Sequence, residues 1–503
     1  MNVSKAKYVV IGGGIAGVTC AETVTLIHNS MWDHLKLSLS WLCPEETIIL
    51  LSASSLVKAV TNFNQISKTL EVFDVEEKSF AEIETVNKNI VILHKEVVSL
   101  DSVEQNIKTA DGSEISYEKL CICTGGKPKV IVDSPYVLGI RDTESVQTFQ
   151  EKLSSARRVI IIGNGGIATE MVYEIEGCSV IWAIKDKSIS STFVDAGAGE
   201  FFLKKLNKKK EQKKPILKRM KYNISAADKA SKSVLGGALG PDWSSNLVMS
   251  GVQAISHNVH VEFQVEVEKI LSSDEFKESG KQETCSSFED KDNVTTTDWP
   301  IYALLTNGKV YGCDFVVSAT GVVPNTELLL QGNSFDRSED GGIKVNSKML
   351  TSVPNVFAAG DVCTPSWKLA EHWFQMRLWT QARQMGAYAA KCMVASENQE
   401  DIEMDFCFEL FSHVTKFFNS KVILLGKFNA QGLGNNYELL LRVTEDEEYL
   451  KVVLSDNRMQ GAVLIGETDM EETFENLILN QMDLTCFKEN LLEPGIDVDD
   501  FFD

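Results

Sequence analysis

Gly12, Gly14 and Gly17 stand in the spacing G-x-G-x-x-G, and Gly163, Gly165 and Ala168 repeat it as G-x-G-x-x-A. Chemically, this pattern is a cradle for a pyrophosphate. The first glycine makes a tight turn, the second lets backbone approach the phosphates, and the third position allows a helix to pack closely on a strand. The helix that follows offers free N–H groups and the positive end of its dipole. One such pattern is also compatible with a glycine-rich turn that holds nothing. Two of them, about 150 residues apart, imply two dinucleotides, and the usual pair is a flavin and a nicotinamide. FAD and NAD(P)H are therefore the expected cofactors.

Other residues could serve the same chemistry. Thr124 and Gly125 end an apolar stretch, KLCICTGG, in a turn that lets backbone pass close to a cofactor. Gly360 and Asp361 close the strand-like TSVPNVFAAGD and open a helix. A carboxylate there can accept a hydrogen bond from the flavin's ribityl chain, or simply cap the helix. Gln381, with Trp379 and Ala382, lies at the start of a strong helix whose N–H groups could face a reduced, anionic flavin. Glu170, two residues past the second pattern, is a candidate beside the stacked rings; its alternative is a carboxylate placed favourably on a helix. Lys58 reads as lying in a loop entering a helix, either near the flavin ring or as a solvated lysine. An acid at the end of the strand CSVIWAIKDKSI would favour NAD and a base NADP. Lys185, Asp186 and Lys187 occur together there, so the choice stays open, with a lean to NADP(H) or to use of both. Glu170 and Lys58 are the candidate catalytic residues. No metal site is expected.

The elements that must position these groups follow from the pattern. Val9 to Ile11 is a buried strand, and Ile15 to Ala21 begins a helix. The second strand is expected at Thr47–Leu51, and Ser52 and Ala53 stand where an acid would hold the adenosine ribose. Residues 27–44 look like extra length. Residues 90–120 alternate in strand fashion, with a turn at Asp111-Gly112. Lys204 to Lys221 carries ten basic residues and one acid; it reads as a solvated segment or a nuclear import signal. Gly236 to Trp243, GGALGPDW, is turn-rich, and residues 272–298 read as a mobile loop. ATGVVPN, ending at Asn325, parallels the Thr124-Gly125 turn. From Met404 the chain alternates as strands with a hairpin turn near Asp456-Asn457 and a helix over 468–482, an α+β domain with an acidic tail.

Composition bounds the rest. The 503 residues suffice for two to four domains. A net charge of −22 argues against direct nucleic-acid binding. No apolar run reaches the length of a membrane span. MNVSKAKYVV leads directly into the first strand, so no targeting peptide is expected. Eleven scattered cysteines are expected to be reduced and mostly buried.

The order of these motifs across residues 8–361 resembles the pyridine nucleotide-disulfide oxidoreductase family. The resemblance implies an α/β fold. It would have two doubly wound, Rossmann-like dinucleotide-binding domains, one inserted in the other, plus the C-terminal α+β domain. The expected limits are 1–150 and 310–403 for the FAD domain, 151–309 for the NAD(P)H domain with a basic insert near 201–246, and 404–503 for the last. Further stretches, among them SPYVLGIRDT, ALGPDW and RLWTQARQMG, resemble eukaryotic members. These imply a flavoprotein of nucleus and cytoplasm, tied to oxidative-stress defence and, in animals, to muscle. The C-terminal domain is similar to those of nitrite reductases and related NADH oxidases. Two departures matter. The family's disulfide reductases need a paired dithiol beside the flavin, and no C-x-x-C or C-x-x-x-x-C spacing exists here. The His-Pro…Glu pair that protonates a thiol is also missing, since Val414 follows His413. The expectation is hydride transfer from NAD(P)H to FAD, then to an unidentified acceptor or protein client. The alternative is a redox-sensing or partner-protecting flavoprotein with little turnover.

Overall fold

The computed structural model describes residues 5–35, 47–207, 240–241, 243–244, 247–253, 258–284 and 298–493. Residues 36–44, the basic run beyond Asn207, most of GGALGPDW and the end of the acidic tail lie outside them. The first strand, Lys5–Ile11, is flanked in parallel by Ile48–Ser52 and Glu114–Ile122. Tyr8, Val9 and Val10 are fully buried. That is why the strand is apolar on both faces: helices cover a parallel sheet above and below. Ile90–His94 extends the sheet on one side. Its last parallel strand, Val356–Ala358, pairs with Glu114–Ile122 from more than two hundred residues away.

A second sheet is wholly parallel, in the order Val137–Gly139, Phe315–Ser318, Arg158–Ile162, Ser179–Ala183 and Asn258–Glu262. The chain passes between the two sheets twice. The outward segment Gly126–Pro128 and the returning segment Val322–Pro324 pair antiparallel, Gly126 opposite Pro324. Asn325 N–H donates to the Gly125 carbonyl at 2.9 Å, and Thr124 Oγ1 donates to the Asn325 carbonyl at 2.8 Å. The two T-G turns thus form one double connection.

The C-terminal part is a five-stranded antiparallel sheet with the helix Glu471–Asn480 on one face. Two long-range features dock it. The hairpin of Leu56–Gln65 and Glu71–Ser79 reaches out of the first sheet. At its tip Leu70 is buried in the C-terminal core, and the buried Glu475 carboxylate accepts from the Thr69 N–H at 2.7 Å, the Lys68 N–H at 3.1 Å and the Thr69 hydroxyl. On the other side the buried Lys451 ammonium pairs with Asp195, beside the second sheet, at 2.5 Å.

Three local expectations change. Lys58 lies on the strand Leu56–Gln65 rather than in a loop entering a helix, because Leu56 to Thr61 is drawn into the hairpin ladder. Asp361 opens a single 3-10 turn, Gly360–Val362, rather than a helix. Residues 272–298 contain a capped helix, Ser273–Glu278. Among the described residues no helix is long and apolar enough to cross a membrane, and no cluster of His, Cys, Asp and Glu could hold a metal.

Candidate functional site

Both glycine patterns sit where sequence places them, each between a parallel strand and its helix. Gly12 and Gly163 have φ of +120° and +119°, a region that only glycine enters without strain. A Cβ on Gly12 would stand 2.1 Å from the Cys123 carbonyl oxygen, and one on Gly163 2.2 Å from that of Ala319. A Cβ on Gly17 would stand 1.9 Å from the Gly12 carbonyl oxygen. These three positions are closed by the protein itself. Gly14 and Gly165 differ: nothing lies within 4 Å of a Cβ built there. Each faces open space where a phosphate would approach, so the cradles fit two pyrophosphates.

The two cradles open onto one cavity of about 350 Å³, lined by Gly14, Ile15 and Ala16 from the first and by Gly165, Gly166 and Ile167 from the second. A third helix N-terminus joins those of the two cradles. The helix Trp379–Asn398 crosses the first helix so closely that a Cβ on Gly386 would stand 2.3 Å from the Ala16 carbonyl oxygen. Leu378, Trp379 and Ala382 consequently line the cavity. An adjoining cavity of about 400 Å³ runs along Gly12 to Gly14, Ser52, Ala53, Thr124 and Gly125, sharing Gly14, Cys123, Gly125 and Arg141 with the first. Ser52 and Ala53 line it without an acid.

Asp361 lies on the cavity wall, almost fully buried, and is paired with Arg141. Its own carbonyl accepts from Arg377 Nε at 3.0 Å. Arg141 lines both cavities, so one cation is held between the carboxylate and the glycine turn. Glu170, on the helix Gly166–Glu174, also lines the cavity and accepts from the indole N–H of Trp243. Trp243 belongs to the segment that returns the chain toward the second sheet. Gly240 of the same segment lies against Val75 of the hairpin, where a Cβ would stand 2.4 Å from the Val75 Cβ.

Two proposed residues are placed elsewhere. Lys58 pairs with Glu77 at 2.8 Å and is absent from the linings of both cavities. It is held by the neighbouring hairpin strand. Gln381 is buried with its amide turned to the preceding loop; it accepts from the Met376 N–H at 2.8 Å and donates to the Phe374 carbonyl at 2.7 Å. It shapes the turn into the helix. At the second strand's end Lys185 is exposed, and the Asp186 carboxylate accepts from Asn164 Nδ2 at 2.9 Å.

Cys123 is the cysteine on the cavity walls among the described residues. Its Sγ lies 3.5 Å from that of Cys121, and both are free thiols. The hydrogen bond from Cys121 favours the Cys123 thiolate, but burial and nearby Cys20 outweigh it and keep the thiol protonated. Below Trp379 stands His413, its ring 4.8 Å from the indole and its Nδ1 3.1 Å from Thr380 Oγ1. Full burial pushes its pKa down to about 3.

Arg141 and Trp243 were not marked by any spacing rule. Arg141 lies in a stretch noted only for its resemblance to relatives, SPYVLGIRDT, and Trp243 in one noted for that and for its turn residues, GGALGPDW.

Two nucleotide cradles facing one cavity define a flavin-dependent reductase that draws on a nicotinamide nucleotide. Residues 6–215 and 252–386 match the pyridine nucleotide-disulphide oxidoreductase family, and 412–482 match the rubredoxin NAD+ reductase C-terminal domain. The chain belongs to the pyridine nucleotide-disulphide oxidoreductase family, and its cofactors are FAD and NAD(P)H. It is 55% identical over 504 residues to the Homo sapiens pyridine nucleotide-disulfide oxidoreductase domain-containing protein 1, covering 99% of this chain and 98% of that protein. Solved structures share the fold at lower identity. The covalent putidaredoxin reductase–putidaredoxin complex matches at TM-score 0.60 and 14% identity, over 95% of this chain and 94% of that one. The water-forming NADH oxidase from Lactobacillus brevis matches at 0.61 and 16%, over 95% and 92%.

Proposed function

We propose that this oxidoreductase passes a hydride from NAD(P)H to FAD and then to an acceptor directly, without a dithiol relay. The supporting observation is the shared cavity, reached by both Gly14 and Gly165 and walled, among the described residues, by one cysteine, Cys123, whose thiol burial keeps protonated. FAD supplies the redox chemistry when bound. Gly12, Gly14, Gly17, Thr124 and Gly125 hold it, with Asp361 oriented by Arg141 toward its sugar-like chain. Gly163, Gly165 and Ala168 hold the nicotinamide dinucleotide. Glu170 orients the nicotinamide end, exchanging its bond to Trp243 for one to the ligand. Trp379 and Phe193 exclude water from the cavity. Exposed Lys185 beside a hydrogen-bonded Asp186 suits use of both NADH and NADPH.

A second reading is a partner-protecting flavoprotein with little turnover. It is favoured by Trp243, which engages Glu170 across the cavity. Stopped-flow mixing with NADH and NADPH, followed at the flavin absorbance, separates the two. Reduction followed by rapid reoxidation with some acceptor supports the enzyme; reduction with no productive acceptor supports the guard; no bleaching sinks both. A role in oxidative-stress defence, in nucleus and cytoplasm and in muscle, completes the proposal. The basic run Lys204–Lys221 supports nuclear entry, and a fluorescent fusion with Lys208, Lys209 and Lys210 replaced by alanine should stay cytoplasmic.

A further inference from the structure

Asn164 is the middle residue of the second cradle's Gly163-Asn164-Gly165. It is 7% exposed, and its side chain turns into the loop that follows the strand Ser179–Ala183. Asn164 Oδ1 accepts from the Ser190 N–H at 2.5 Å. Its Nδ2 lies 2.9 Å from each of three acceptors, Asp186 Oδ2, the Ser188 carbonyl and Ser191 Oγ. One amide side chain thus ties the cradle to most of residues 186–191.

The tie to Asp186 bears on the ligand. Asp186 stands 22 positions past Asn164, close to the roughly twenty at which an acid in this fold accepts from the adenosine ribose of a nicotinamide nucleotide. NADP(H) carries a phosphate on the 2′-oxygen there, which a carboxylate repels and an ammonium attracts. Asn164 engages one of the two carboxylate oxygens and holds the half-buried side chain against the cradle. The other oxygen is left to accept a ribose hydroxyl. Lys185 and Lys187 flank Asp186, both exposed, and supply two ammonium groups for a phosphate.

We infer that Asn164 is a positioning residue for coenzyme selection: by restraining Asp186 it lets one site take both NAD(H) and NADP(H). The inference deepens the functional reading above and rests on a nicotinamide nucleotide occupying the second cradle. Released from Asn164, the Asp186 carboxylate turns to the ribose. Both of its oxygens then accept from the 2′- and 3′-hydroxyls of NAD(H), and its full charge opposes the 2′-phosphate of NADP(H).

The test is calorimetric titration of the FAD-loaded protein with NAD+ and with NADP+, read as the ratio of the two Kd values. A loop that merely loosens weakens both nucleotides alike and cancels from that ratio. The unsubstituted protein should bind the two within about tenfold of each other. Asn164→Ala should move the ratio about tenfold toward NAD+, and Asp186→Ala should move it toward NADP+. Adding Asn164→Ala to Asp186→Ala should change the ratio by less than about twofold, because Asn164 acts through Asp186. A ratio unmoved by Asn164→Ala, the same shift with and without Asp186, or an unsubstituted protein that binds only one nucleotide overturns the inference. The expected ratios with no bleaching of the flavin by NADH or NADPH would instead sink the hydride-transfer reading and leave the role of Asn164 standing.

Discussion

Two glycines of each cradle carry different burdens, and substitutions should separate them. Gly165→Val places its side chain in the open cavity. The protein should keep its yellow colour while NAD(P)H affinity falls about tenfold or more, measured by titration of flavin reduction. Gly17→Ala drives a methyl into the Gly12 carbonyl, and the purified protein should lose flavin absorbance and melt at lower temperature. His413 makes a second prediction. Its folded pKa of about 3 lies below the roughly 6.5 of an unfolded histidine, so the unfolded chain binds the extra proton first. Its contribution is intact above that value and is lost as pH falls toward the folded pKa, at up to roughly 1.4 kcal/mol per pH unit. His413→Gln should flatten the fall of the melting temperature between neutral and mildly acidic pH. Residues whose role depends on close neighbours in sequence were legible: the glycines, and the turn at Thr124-Gly125. Arg141 was not, because the carboxylate it meets is 220 positions away, and Lys58 was misplaced because the weak alternation of its strand hides the hairpin ladder that sets it against Glu77.

Among the elements, the strands and their order around the cradles could be read from apolar runs that end in glycine. The hairpin of residues 56–79 could not. Its alternation is weak because both faces are partly exposed along most of its length, with burial confined to residues 57–59 at the base, Phe73, and Thr69 and Leu70 at the tip. That tip hangs on Glu475. Glu475→Ala leaves the Thr69 and Lys68 N–H groups without their acceptor, at a cost of about 1–3 kcal/mol. Denaturant unfolding should show the loss, and hydrogen exchange should rise at residues 66–70 before it rises in the first sheet.

Across the whole molecule, the C-terminal sheet is fastened to the second nucleotide unit by Lys451 and Asp195, with the Tyr449 hydroxyl 3.1 Å from the same carboxylate. Burial lowers the Lys451 pKa and Asp195 raises it again, the first effect being larger. Asp195→Ala therefore leaves an uncompensated ammonium in the interior, at about 3–5 kcal/mol. Adding Lys451→Met should restore most of the midpoint in guanidinium unfolding. The α+β character of this region was legible from its alternating strands, whereas its docking was not, since nothing near Lys451 in sequence points to Asp195.

The strand Val356–Ala358 completes a sheet begun at Lys5, and Asp361 follows it directly. On the ribosome, the proposed flavin site is thus finished only after the second parallel sheet has emerged. Until then the early strands have one flank without its neighbour, and the nascent chain depends on keeping that edge covered. A premature stop anywhere between the second cradle and Val356 yields a polypeptide with both phosphate turns encoded that should, when purified, lack the yellow cofactor's absorbance.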